Sequence, residues 1–113
     1  MLDRSDNLTR AFAALADTTR SAILADLVTG ELTVNELVGR HELSQPAISK
    51  HLKVLEGAGL IGRGRSAQRR PCRLDAEGMR PVLDWLSHFR AFWGESFDRM
   101  DELLVELKKA SKP

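Results

Sequence analysis

Residues 33–55, TVNELVGRHELSQPAISKHLKVL, read as two short helices joined by a tight turn. Thr33, followed three residues later by Glu36, makes a capping box in which each residue's side chain meets the other's backbone N–H at a helix start. Val34, Leu37 and Val38 then give that helix one apolar face at helical spacing. Gly39 and the polar run Arg40-His41-Glu42 break the pattern, and Leu43 anchors the turn. Ser44 or Gln45 caps the second helix. Pro46 falls in its first turn, where a missing N–H costs little, although proline also biases Gln45 away from helical geometry. Ile48, Leu52 and Leu55, at i, i+4 and i+7, face a core. Ser49, Lys50 and Lys53 point the other way, and Gln45 stands at the exposed N-terminal end. Such a helix suits the floor of a DNA major groove, because Gln and Lys hydrogen-bond base edges and Ser reaches bases or phosphate. A solvated helical hairpin would share this polarity, and the next segment separates the two readings.

After Leu55, the two glycines of Glu56-Gly57-Ala58-Gly59 end the helix. Residues 60–65 read as a strand, residues 70–74 as its partner and residues 66–69 as the turn between them. Pro71 marks the second strand as short or as an edge. The hairpin carries Arg63, Arg65, Arg69, Arg70 and Arg73 and no acid. An arginine-loaded arm beside a reading helix is a wing, placed to lie along phosphates or enter a narrow minor groove. A need for solubility alone would not select a single sign of charge.

The charge of the whole chain is uninformative until it is located. Across 113 residues the net charge is +1. Arg40, Lys50, Lys53, Arg63, Arg65, Arg69, Arg70 and Arg73 stand against only Glu42 and Glu56 in residues 40–73, whereas residues 75–107 hold eight acids and three bases. The chain keeps one face for a polyanion and another for something else. The length suits one domain with one core. The one cysteine, Cys72, allows no disulfide within the chain, and as a lone thiol without a resolving partner it makes a poor redox sensor. No apolar run approaches the roughly 20 residues that span a bilayer, and MLDRSDNLTRAF lacks the apolar core of a signal peptide. A cytoplasmic protein without membrane contact is expected.

Two helices precede the quoted stretch. Residues 7–15 place Leu8, Phe12 and Leu15 on one stripe. Asp17 caps a helix over residues 18–28 whose core face is Ile23, Leu24, Leu27 and Val28, with Gly30 as its stop. Glu31 and Leu32 form a short extended link. At the other end, residues 76–108 read as one long helix, with Gly94 as a place for a bend or a close approach. Val82, Leu86, Phe89, Trp93, Phe97, Met100, Leu104 and Leu107 form a heptad-like stripe, and Trp85, Phe92 and Leu103 widen it. About 30 residues of helix extend roughly 45 Å, more than a domain this size covers by itself. The excess apolar length implies a partner, most simply a second copy of the chain.

The order of elements is α-α-α-α-β-β-α: mainly helical, with a small β-hairpin. With ALADTTRSAILADL at residues 14–27, ELTVNELVGRHELSQPAISKHLKVLEGAGLI at residues 31–61 and the arginine-rich hairpin after them, the chain resembles the ArsR-type winged-helix transcriptional regulators. The resemblance covers nearly the whole chain. It implies one winged helix-turn-helix domain over residues 1–113, dimerising through its terminal helices, with residues 76–108 as the C-terminal dimerisation helix. It also implies two recognition helices in successive major grooves of a pseudo-palindrome, and repression, often of the protein's own operon. Metal-sensing members carry cysteines in the segment matching residues 31–37, where this chain has Thr33 and Asn35, neither a soft ligand. Others hold zinc on the terminal helix, but Asp84, His88, Glu95 and Asp98 do not match that spacing. No metal and no cofactor is expected. The stretch LDWLSHFRAFWGESFDRMDELLVEL resembles a branch of the family that does not sense metals, and no inducer is implied.

The expected roles follow. Gln45, Ser49 and Lys50 read bases in double-stranded DNA; Ser44, Lys53 and Arg63 fix the DNA backbone; Arg65, Arg69 and Arg70 grip it from the wing. His41 and His51 touch phosphate or solvent. Leu8, Phe12, Leu86, Phe89, Trp93, Phe97, Met100 and Leu104 form the homodimer interface. The rival reading is a protein-interaction module working through the acidic, aromatic terminal helix, which leaves the wing arginines unexplained. No nucleophile–base pair, phosphate-cradling glycine loop or paired carboxylate suggests an enzyme.

Overall fold

The computed structural model describes residues 4–64 and 70–110, apart from the side chains of residues 4, 5, 93, 95–97, 100, 101, 104, 108 and 110. Helix α1 spans Arg4–Leu15 and α2 Thr18–Asp26, extended by a 3-10 turn, Leu27–Thr29; α3 spans Val34–His41 and α4 Gln45–Gly57. Strands β1, Ile61–Arg63, and β2, Cys72–Leu74, precede α5, Ala76–Ser87, and α6, Arg90–Ala110. The chain divides into two compact units, residues 1–82 and residues 83–113.

The core of the first unit is built around α4. Ile48, Leu52 and Leu55 are 0–1% exposed, as the i, i+4, i+7 spacing requires, and they are enclosed with Ile23, Leu24, Leu37, Leu60 and Val82. Full burial of each large aliphatic side chain contributes about 1.5–3 kcal/mol. The first helix meets α2 and α4 through Ala11 and Ala14, which are buried, while Leu8 and Leu15 are half-buried and Phe12 is exposed. The bulky stripe read from the sequence is therefore not the core face of α1. Two methyl side chains fill that role.

Local capping is as the sequence demands. The Asp17 carboxylate accepts from the N–H groups of Thr19 at 2.8 Å and Arg20 at 3.1 Å. Thr33 and Glu36 form the reciprocal box, with Glu36 N donating to Thr33 Oγ1 at 3.2 Å and Thr33 N to Glu36 Oε1 at 3.1 Å. The second helix ends two residues earlier than the sequence suggests. It tightens into the 3-10 turn and stops at Gly30, whose φ of 149° is open to glycine, and this turns Val28 outward to 71% exposure. Gly39 does not break α3; it stays helical, and the break falls at Glu42, which takes a left-handed conformation and donates its N–H to Val38 O at 3.0 Å.

The hairpin is shorter than expected. Its register is Ile61↔Leu74, Gly62↔Arg73 and Arg63↔Cys72, antiparallel. Leu32 adds a bridge on the far side of β2, exchanging both backbone hydrogen bonds with Cys72 at 3.1 and 2.7 Å. Asp75 then starts α5: its carboxylate accepts from Gly78 N at 3.0 Å and its own N–H donates to Leu60 O at 3.0 Å.

The single terminal helix expected over residues 76–108 is two helices, and the interruption is at His88–Phe89 rather than at Gly94. The cause is local. Ser87 Oγ donates to Asp84 O at 2.6 Å and the His88 ring donates from Nδ1 to the same oxygen at 2.9 Å. His88 N and Phe89 N turn to Trp85 O and Leu86 O, three residues back. Side chains thus compete for a carbonyl that would propagate the α-helix, and the turn tightens. The rings of Trp85 and Phe89 meet across it, 4.8 Å between centroids and tilted by 58°. Among the described residues no helix is long and apolar enough to cross a membrane.

Candidate nucleic-acid interface

The recognition helix is fixed at its start by Ser44, whose Oγ accepts from Ala47 N at 3.2 Å. The hydroxyl proton of Ser44 remains to donate outward. Gln45 is the first helical residue and Pro46 the second, so the proline bias displaced the start by no residue. Behind them Ile48, Leu52 and Leu55 occupy about 60° of arc at 100° per residue. Ser49, Lys53 and Lys50 cover about 100° of the opposite side, and all three are exposed, as are Ser44 and Gln45. The core therefore forces this set outward.

The base of the wing is built from one glycine-dependent contact and an arginine hydrogen bond. Gly64 N donates to Pro71 O at 2.7 Å, and a Cβ at Gly64 would lie 2.8 Å from the proline ring. Arg63 Nε donates to Arg70 O at 3.2 Å, which uses one of five guanidinium donors and steadies the hairpin. Arg70 is exposed at a φ of 33°, and the Arg73 guanidinium lies across Gly62. Arg65 and Arg69, assigned to the wing from the sequence, lie outside the described residues.

Both histidines expected at phosphate or solvent are half-buried and engage side chains of neighbouring elements. His41 Nε2 lies 2.8 Å from Asp26 Oδ2, and Arg40 stands 3.8 Å from the other oxygen, so the end of α3 is tied to the end of α2. His51 is half-buried on the inner flank of α4, with Nδ1 at 3.5 Å from Arg20 Nη1 and 3.9 Å from Asp17 Oδ1. The N–H of Arg20, donating to its carboxylate, is the largest influence holding Asp17 below the ordinary carboxylate value; Thr19 N–H, His51 and Arg20 act in the same direction, against desolvation. The part played by Arg20 has no signature in sequence spacing, because its partner on α4 is 31 residues away.

Of the residues assigned to the interface between copies, Leu8, Leu86 and Phe89 are half-buried and Phe12 is exposed. The side chains of Trp93, Phe97, Met100 and Leu104 lie outside the described residues. Exposed apolar residues of the second unit include Leu83, Trp85, Phe92, Leu103, Val105 and Leu107. Cys72 is fully buried in the sheet, where desolvation pushes its thiol pKa up. Among the described residues no group of three or more His, Cys, Asp or Glu could hold a metal ion.

The family profile for bacterial regulatory proteins of the ArsR family matches residues 17–62, the span from the α2 cap to the start of the wing. The HTH-type transcriptional regulator Rv2034 of Mycobacterium tuberculosis is 42% identical over 80 residues, covering 71% of this chain and 75% of that protein. The transcriptional repressor SdpR of Bacillus subtilis is 29% identical over 82 residues, covering 73% of this chain and 91% of that protein. The crystal structure of an ArsR family transcriptional regulator, RHA00566, aligns with a TM-score of 0.67 at 34% identity, covering 78% of this chain and 97% of that one. The exposed reading helix, the arginine hairpin and these relationships lead to one conclusion: the chain belongs to the ArsR family and is a DNA-binding transcriptional regulator, not an enzyme.

Proposed function

We propose that two copies of this chain pair and occupy a pseudo-palindromic operator in the cytoplasm, repressing the promoter beneath it and, where that promoter is its own, regulating itself. The observation that carries this reading is the outward face of α4, where Gln45, Ser49 and Lys50 stand exposed on a helix anchored by three fully enclosed aliphatic residues. These three residues read bases. Ser44, Lys53 and Arg63 hold the DNA backbone, joined by Arg65, Arg69 and Arg70 from the wing. Among the described residues Lys50 and Lys53 make no ion pair that would have to be broken first. The whole chain acts as one regulator, with residues 76–108 and the first helix supplying the contact between copies. Exposed Phe12, Trp85, Phe92 and Leu103 support that contact, because apolar surface of this kind is costly to leave in water. Pairing sets the two α4 helices about one DNA turn, roughly 34 Å, apart. The Bacillus subtilis relative is a transcriptional repressor.

The test is a titration of purified protein against a labelled duplex carrying its own upstream region, with an unrelated duplex as comparison. Gln45→Ala and Lys50→Ala should each weaken the upstream duplex by about 1–3 kcal/mol while sparing the unrelated one. Lys53→Ala should weaken both and make the salt dependence shallower by about one unit of slope. Equal losses on every duplex for Gln45→Ala would remove the base-reading assignment. A monomer in sedimentation at DNA-binding concentrations would remove the paired arrangement. Absence of DNA affinity at any salt would favour the protein-interaction reading.

A further inference from the structure

The junction of α1, α2 and α4 holds a side-chain cluster that the DNA-facing assignments leave unused. Arg20, in the first turn of α2, donates from Nε to Ala14 O at 2.6 Å and from Nη2 to Ala13 O at 3.4 Å. Its Nη1 stands 3.5 Å from Nδ1 of His51 on the recognition helix and 4.0 Å from Oδ2 of Asp17. A guanidinium only donates, so in this long contact Nδ1 of His51 is the accepting atom. The side chains of Arg20 and His51 are 18% and 22% exposed, which shields the contact from most of the competing water. One guanidinium thus closes the C-terminal carbonyls of α1, stands beside the cap of α2 and reaches the middle of α4.

Apart from this contact and Asp17 Oδ1, 3.9 Å from His51 Nδ1, what holds the middle of α4 among the described residues is apolar. Packing of Ile48, Leu52 and Leu55 is non-directional, so it fixes the depth of the helix better than its rotation about its own axis. The contact to His51 is directional. His51 lies about 160° round the helix from Lys53 at 100° per residue, so any rotation that lengthens the contact swings the outer face by the same angle. Base reading tolerates an error of about 0.5 Å and 10–20°. Long lysine and arginine side chains reaching phosphate adapt to larger shifts.

We propose that Arg20 and His51 are positioning residues: their contact sets the rotation of the recognition helix and so governs base reading, while phosphate binding is left intact. This rests on the operator reading proposed above. It makes operator preference, rather than DNA affinity, the quantity that depends on a side-chain pair remote from the DNA.

The test uses the full chain carrying His51→Ala, His51→Asn or Arg20→Lys, titrated against the upstream and the unrelated duplex, with a thermal melt of each variant. Asparagine puts an amide oxygen near the place of Nδ1 and can keep the contact; alanine removes it; lysine keeps the charge but loses the fork. For His51→Ala and Arg20→Lys the ratio of upstream to unrelated affinity should fall about tenfold, within the range of one lost base contact, with affinity for the unrelated duplex nearly unchanged. His51→Asn should keep the wild-type ratio. Should Arg20→Lys fail to fold, the two His51 variants decide. A folded His51→Ala protein with the wild-type ratio would overturn the proposal. So would an equal fall on both duplexes with a shallower salt dependence, since that pattern means His51 touches phosphate. Wild-type protein without preference for its upstream duplex, or for any other promoter duplex, over the unrelated one would overturn the operator reading and this inference together, an outcome distinct from failure of the Arg20–His51 contact alone.

Discussion

Gly78→Ala is the substitution for which the structure makes the sharpest demand. Gly78 is the third residue of α5, and a Cβ built on it would lie 1.5 Å from the carbonyl oxygen of Gly59 and 2.6 Å from the carbonyl carbon. Close carbon–oxygen contacts in proteins settle near about 3.3–3.6 Å, so the shortfall approaches 2 Å by the same measure. The obstacle is backbone. It belongs to the turn that joins the recognition helix to the wing, where Gly59 itself holds a φ of 79°. Either that turn or the start of α5 must move, and the Asp75 N–H bond to Leu60 O, 3.0 Å long, ties the two together. Overpacking of this severity costs about 3 kcal/mol. Alanine returns about 1 kcal/mol of helix propensity over glycine, leaving a net loss of about 2 kcal/mol. For a unit of this size that is a fall in Tm of about 8–16 °C. The assay is a far-UV circular dichroism melt, with a urea titration to check that the slope is unchanged. Gly39→Ala is the control: nothing lies within 4 Å of its built Cβ and it stands inside α3, so it should be neutral or more stable by up to about 1 kcal/mol. Gly78→Ala melting at or above the wild-type temperature, with the control behaving as stated, would refute the close approach of α5 to that turn.

Two further outcomes follow from capping and burial, beside the operator titration already described. Thr33→Ala removes one half of the capping box and should cost about 1 kcal/mol by urea unfolding; a variant as stable as the wild type would mean the box is ornamental. Burial raises the Cys72 thiol pKa in the folded chain, Glu56 adds to the shift and Arg63 and Arg70 oppose it. The folded state therefore holds its proton more firmly than the unfolded one. That contribution is fully present below the ordinary thiol value of about 8.5 and is lost as pH rises through the folded value. Stability measured by urea should begin this decline only above about pH 8.5, and Cys72→Ala should flatten part of the decline there; an identical slope in the variant would contradict the account.

The wing shows where local pattern runs out. Arginine content and Pro71 announce a short hairpin, but its paired length depends on Gly64 meeting Pro71 and on Leu32 arriving on the other side of β2. Leu32 and Cys72 are 40 residues apart and share no periodicity. The interrupted terminal helix is the opposite case: Ser87 and His88 both bond to Asp84 O within one turn. That competition was legible in principle, yet a continuous apolar stripe across residues 82–107 outweighs it when only hydrophobic spacing is read.

The sequence by itself determined what rests on interactions within about four residues. Those are the caps at Asp17, Thr33 and Ser44, the inward set Ile48, Leu52 and Leu55, and hence the outward set that includes Gln45, Ser49, Lys50 and Lys53. Helical geometry converts such spacing directly into faces. Only the tertiary structure decided where His41 and His51 point, that Arg20 joins three helices, and that Ala11 and Ala14 rather than Leu8 and Phe12 bury the first helix. Each of these depends on which surface arrives from a distant part of the chain. A half-polar side chain such as histidine has no preferred side until that neighbour is in place.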